Sequence, residues 1–146
     1  MRVLVQRADE VFIRINNEIH CNSGRGLLLF IGVGSDDSES VIPYFADKII
    51  NLRIFEDSEG KMNLSVKDIK GEITAVSQFT LYADTSRGRR PGFSMSAPPE
   101  KAKELYGSLV SELKRSGLEV KEGVFGAHME IGLINNGPAT FLLEKN

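Results

Sequence analysis

Apolar and polar positions along this chain follow two rhythms, one with a period of two and one with a helical period. Val3-Leu4-Val5 and residues 11–15 have strand character, separated by Ala8-Asp9-Glu10. Asn16-Asn17-Glu18 then turns the chain into another extended piece at 19–22, and Ser23-Gly24-Arg25-Gly26 makes a second turn. Residues 27–33 are a continuous apolar run, the type found in a strand buried on both faces. Beyond the capping residues Asp36, Asp37 and Ser40, the apolar positions Ile42, Phe45, Ala46, Ile49 and Ile50 recur at helical spacing. Pro43 is tolerated only in a first turn, so this helix is predicted to start near Ser40. A hairpin is predicted from residues 53–56 and 61–64 around Asp57-Ser58-Glu59-Gly60, followed by a central strand over 73–79. Pro98-Pro99 opens a second helix with Ala102, Leu105, Tyr106, Leu109, Val110 and Leu113 on one stripe, and Gly117 stops it. Strand character resumes at Leu118-Glu119-Val120, at 128–134 and at 139–144. Many strands with two main helices and no βαβ alternation predict an α+β fold, with a largely antiparallel sheet or barrel-like core.

Composition narrows the function classes. At 146 residues, 41% of them hydrophobic, residues 1–146 read as a single domain able to bury a core. No signal peptide is read at the start, and the run at 27–33 is too short to span a bilayer, so a soluble, cytoplasmic protein without membrane partners is expected. Cys21 is the only cysteine, and His20 and His128 have no partner at metal spacing, so neither a metal nor another cofactor is expected. The net charge of −2 argues against coating nucleic acid by bulk electrostatics. The charge is uneven, however: Arg87-Gly88-Arg89-Arg90 puts three guanidinium groups into a Gly-, Ser- and Pro-rich segment. Such a loop is either a solvated surface or a phosphate contact.

Standard catalytic signatures are mostly missing. Gly32-x-Gly34 ends the apolar run, but the acidic Ser35-Asp36-Asp37 that follows lacks the lysine of a phosphate loop. Ser77, His128 and Asp84 could be assembled into a triad only on paper. Two stretches carry more. In Ser77-Gln78-Phe79-Thr80-Leu81-Tyr82-Ala83-Asp84, polar side chains end a buried strand, where a pocket mouth forms, although Thr and Phe are also ordinary strand residues. Asn135-Asn136-Gly137-Pro138-Ala139-Thr140 lies between two apolar runs, and a Gly-Pro turn can hold carbonyls in a fixed orientation, yet the same residues make plain hairpin loops.

Together these stretches resemble the two signature motifs of the D-aminoacyl-tRNA deacylases. The opening Met1-Arg2-Val3-Leu4-Val5-Gln6-Arg7-Ala8, the strand at 28–33, Asn51-Leu52-Arg53-Ile54-Phe55 and Arg89-Arg90-Pro91-x-Phe93-Ser94 are similar to that family too. The chain departs from the family pattern at Ala139, where a β-branched residue is common, and at Gly92, where serine is frequent. The resemblance implies a homodimeric hydrolase that cleaves the ester between a D-amino acid, or glycine, and the terminal ribose of tRNA. Its active sites would lie at the subunit interface, with aminoacyl-tRNA as the partner. A cis Gly137-Pro138 turn of one subunit would enter the pocket of the other and exclude L-amino acids with its main chain.

On the same resemblance, Ser77, Gln78, Phe79 and Thr80 form the catalytic segment, and Arg7 braces the Gly137-Pro138 turn. Met129 would line the pocket for the terminal adenine. Read without the resemblance, Arg7 is a strand charge and Met129 a core residue. Thr80 is the nucleophile suggested by residue type, but nothing beside it in sequence activates it. The family-implied alternative uses backbone amides near Phe79 and Thr80, with the RNA 2′-hydroxyl assisting water. Two other classes remain open at this point: a nucleic-acid-binding module without hydrolysis, and a small-ester serine hydrolase built on Ser77 and His128.

Overall fold

The computed structural model describes residues 1–145. One six-stranded sheet organises them: β1 (Arg2–Ile15), β2 (Glu18–Ser23), β3 (Gly26–Gly32), β6 (Glu72–Ser77), β7 (Val120–Glu122) and β8 (Glu130–Glu144). A small hairpin, β4 (Phe55–Glu56) with β5 (Met62–Leu64), stands apart from it. The order is β2-β1-β3-β6-β7, with β8 on the other side of β1, and the sheet curls toward a barrel. Around β1 all pairings are antiparallel, whereas β3–β6 and β6–β7 are parallel.

Those parallel pairs correct one sequence-based expectation. The connection from β3 to β6 carries α1 (Ile42–Asn51), and that from β6 to β7 carries α2 (Pro99–Arg115), so a βαβαβ unit lies inside the chain. The β4–β5 hairpin interposed after α1 hides this alternation from a linear reading. Parallel neighbours need such crossovers, and they place both helices on one face.

The continuous apolar run of β3 follows from that placement. Leu27, Leu29 and Ile31 face α1 and α2 with Val3, Val5, Ile73 and Ala75, in a core completed by Phe45, Ile49, Leu105 and Leu109. Leu28 points the other way, into a second cluster with Ala8, Val11, Ile13 and Val76. Pro43 sits in the first turn of α1 as expected, but a 3₁₀ turn at Glu39–Val41 precedes the helix, so its start lies just beyond Ser40. α2 begins at Pro99, and Gly117 takes φ of 83° just beyond its end.

The largest departures concern the long strands. Ala8-Asp9-Glu10 and Asn135 to Thr140 read as breaks, yet each lies inside one continuous strand. Ala8 pairs with Asn135, and Glu10 with Ile134, so register irregularities absorb the turn-like residues instead of reversing the chain. Among the described residues, no helix is long and apolar enough to cross a membrane.

Candidate active site

β6 ends at Ser77, and the chain passes through Gln78 into a 3₁₀ turn, Phe79–Tyr82. The Gln78 N–H still donates to the Ile31 carbonyl of β3 at 2.7 Å, which anchors the start of the turn to the sheet. Leu81 N–H donates to Gln78 O at 3.3 Å and Ala83 N–H to Thr80 O at 3.0 Å. The N–H groups of Phe79 and Thr80 have no carbonyl acceptor among the described residues, as expected for the first donors of a helical turn. Both residues are exposed, and the Gln78 side-chain amide donates to the Thr80 hydroxyl.

The turn is pressed tightly against the end of β3. A Cβ on Gly32 would lie 2.9 Å from Gln78 O, and one on Gly34 would lie 2.8 Å from the Tyr82 ring. Gly32 thus admits the Gln78 backbone and Gly34 the Tyr82 ring, a packing role for the Gly32-x-Gly34 pair. Tyr82 is buried, its hydroxyl 3.4 Å from Asp37 Oδ2. Asp37, expected as a helix cap, caps nothing: its buried carboxylate accepts from Gly34 N–H at 2.6 Å and from the α-ammonium of Met1. The Arg2 guanidinium lies 4.6 Å over the Tyr82 ring and donates to Leu81 O at 2.8 Å. Burial, and then the Asp37 carboxylate, push the Tyr82 hydroxyl up to about 12. Sequence reading missed Asp37, Tyr82 and Arg2 as supports. The available signal was Gly-x-Gly at a strand end, which marks a close approach.

Beside the turn opens a cleft of about 590 Å³. Ser77, Gln78 and Phe79 line one wall, with Phe93 stacked edge-on against Phe79 at 5.0 Å between ring centres. Tyr106, Phe125 and Met129 line another part, so the cleft is largely apolar and aromatic, with a few polar groups at its mouth. The Tyr106 hydroxyl donates to Ala75 O at 3.0 Å, and burial raises its pKa. Thr80 stands outside the lining. Ser77 and His128 both border the cleft, but no hydrogen bond joins Ser77, His128 and Asp84 among the described residues. Asp84 instead accepts from the Ser86 N–H at 2.9 Å.

The second motif forms a bulge. Gln6 pairs with Thr140 and Ala8 with Asn135, so the stretch 136–139 of β8 lies opposite Arg7 alone. The excess chain arches out, with Gly137 and Pro138 exposed and the peptide bond between them cis. Arg7 fills the space beneath. It is buried, and its Nε donates to Asn136 O at 2.8 Å, its Nη2 to Asn136 Oδ1 at 3.1 Å and its Nη1 to Ile54 O at 2.5 Å. From the solvent side Asn136 Nδ2 donates to both carboxylate oxygens of Asp9, at 3.0 and 2.9 Å. Asp9 was not singled out from the sequence; its value shows only once β1 and β8 are in register.

The two motifs do not meet within the chain. Arg7 pairs with Leu27 and Leu27 with Ile73, so Ser77 lies three strand positions across from the bulge and four residues further along. At ordinary strand spacings that separation is on the order of 15–20 Å.

Residues 4–144 match the family described as D-Tyr-tRNA(Tyr) deacylase. The chain is 51% identical over 146 residues to a D-aminoacyl-tRNA deacylase of Thermotoga petrophila, covering 100% of this chain and 98% of the relative. A D-aminoacyl-tRNA deacylase of Halothermothrix orenii is likewise 51% identical over 146 residues, with the same coverage. Among solved structures, a protein described as a c-Myc DNA unwinding element binding protein superposes with a TM-score of 0.94 at 35% identity, covering 100% of this chain and 99% of that one. A probable eukaryotic D-amino acid tRNA deacylase superposes with a TM-score of 0.86 at 17% identity and 97% coverage of both chains, a likeness of fold.

Proposed function

The chain belongs to the D-Tyr-tRNA(Tyr) deacylase family, and on that premise we propose that two copies jointly build each active site. The protein hydrolyses the ester joining a D-amino acid to the terminal ribose of tRNA. The observation that carries the shared site is the separation of the two motifs: the cleft opens beside Phe79, while the exposed Gly137-Pro138 arch points out of the same chain three strands away. A second copy supplies what one chain keeps apart. β8 supports this, since among the described residues only one of its edges is paired, and it exposes Ile134 and Leu142.

In this reading the terminal adenine enters the apolar cleft against Met129, Phe125 and Tyr106. The free N–H groups of Phe79 and Thr80 hold the ester carbonyl and the oxyanion that develops on it. Water attacks with help from the substrate's own 2′-hydroxyl, so the Thr80 and Ser77 hydroxyls form no acyl-enzyme. The partner's arch offers main-chain carbonyls to the α-ammonium group. An L side chain would be driven into backbone that Arg7 and Asp9 hold in place. Glycine has no Cβ to test and passes.

Release of amino acid from matched D- and L-aminoacyl-tRNA tests the reading. Rapid D and negligible L hydrolysis is expected. Equal rates on both enantiomers would remove the main-chain selector.

A further inference from the structure

Three cations sit beside this site without partners. Asp84 and Gly92 exchange two backbone hydrogen bonds, 2.8 and 2.9 Å, and so close the neck of a loop that carries Arg87, Arg89 and Arg90. All three are exposed, and none forms an ion pair or a side-chain hydrogen bond among the described residues. Among the described residues six of the other 15 Lys and Arg form ion pairs, as in Arg2–Glu144, Arg14–Glu130, Lys114–Glu122 and Lys121–Glu72. The nearest acid in sequence, Asp84, is already committed to the Ser86 N–H at 2.9 Å. A chain of net charge −2 thus concentrates an unneutralised positive pole in one short loop.

Its position is fixed as well as its charge. Only Ala83 separates Asp84 from the end of the 3₁₀ turn, and Phe93, just past the neck, packs on Phe79 and lines the cleft. The loop therefore stands at the rim of the pocket. Gly88 adopts φ of 71°, which folds the segment sharply between Arg87 and Arg89.

We infer that Arg87, Arg89 and Arg90 form the docking surface for the sugar–phosphate backbone of the RNA acceptor end, immediately beyond the nucleotide held in the cleft. This deepens the hydrolase reading and rests on it. Guanidinium groups suit the task because each presents a planar fork to phosphate oxygens and stays charged at every physiological pH. Backbone contacts position the substrate without reading its sequence.

The test compares wild type with R87Q/R89Q/R90Q on two substrates, D-aminoacyl-tRNA and D-aminoacyl-adenosine, the second retaining only the terminal nucleoside. The expected loss of kcat/KM on tRNA exceeds the loss on the nucleoside ester by about tenfold, and the dependence of log KM on log salt flattens by about 2. Equal losses on the two substrates, or an unchanged salt slope, would overturn the assignment. Filter binding of uncharged tRNA reads the loop independently of chemistry. If wild type hydrolysed neither substrate, the hydrolase reading would fall, while a tRNA affinity weakened in the triple variant would still support the docking surface. A DNA duplex that displaced wild type from tRNA as well as an RNA acceptor helix does, and lost that ability in the variant, would assign the loop to DNA and overturn the RNA assignment.

Discussion

The turn at Phe79–Tyr82 and the arch at 136–139 are both short irregular pieces of the same sheet, yet they are built in opposite ways. The turn is clamped from behind by its own chain: Gly32 and Gly34 let it settle onto β3, while Tyr82, Asp37 and Arg2 hold its far end. It faces a cleft made by that same chain. The arch is held at its base, by Arg7 beneath and Asp9 beside Asn136, and its apex is exposed. The turn has a pocket of its own to serve, whereas the arch, on the reading we propose, works in the cleft of a second copy.

Removing the buried brace beneath the arch should have the largest effect. Arg7→Ala leaves the carbonyls of Asn136 and Ile54 without their donor in a buried space. A stability loss of about 2–4 kcal/mol is expected by thermal or urea unfolding, since a buried acceptor then goes unsatisfied and a cavity opens. Arg7→Lys should recover folding better than selectivity, because an ammonium cannot reproduce three directed bonds. Should Arg7→Lys retain full D/L discrimination, the arch would be shown to need no such bracing.

The turn has its own weak point at high pH. Its Tyr82 hydroxyl titrates near 10 when unfolded and is pushed up to about 12 when folded, by burial first and the Asp37 carboxylate second. A raised pKa on this acid means that its contribution to stability is whole below pH 10 and is lost as the pH climbs toward 12. Unfolding midpoints should fall through that window, and Tyr82→Phe should flatten the fall. An identical profile in Tyr82→Phe would place the titration elsewhere, for instance at Tyr106, whose pKa burial also raises.

The smallest change is expected from the residue that looks most chemical. Thr80→Ala should keep turnover within about threefold of wild type, whereas losing a nucleophile costs several orders of magnitude. A dead Thr80→Ala enzyme with the fold intact would make the hydroxyl, and not the backbone N–H, the working group.

This contrast also explains what the sequence made legible. Both helices were readable because their signals are local: Pro43 and Pro99 at first turns, Gly117 just past an end, and apolar stripes between. The polar end of β6 was readable too, since Ser77 and Gln78 break a buried run. The long strands were not. Asn135 to Thr140 has the chemistry of a hairpin turn, and only pairing with β1, more than a hundred residues earlier, turns it into a bulge within one strand. Arg7 acquires its role in the same way, as the one residue opposite the arch. Asp37 and Tyr82 were hidden for a related reason, because the groups that meet there come from the N-terminus, the end of β3 and the turn after β6.

Subunit mixing tests the shared site most directly. One inactive chain would carry Ser77→Phe, which fills the mouth of its cleft, and the other Arg7→Ala, which releases its arch. Denatured together and refolded, they form mixed dimers in which one site inherits both lesions and the other inherits neither. D-aminoacyl-tRNA hydrolysis should return to about a quarter of the wild-type rate, the share set by random pairing in a twofold dimer. If the mixture stayed as inactive as its two parents while mixed dimers were demonstrably present, each chain would have to hold a complete site of its own, and the arch would not work across the interface.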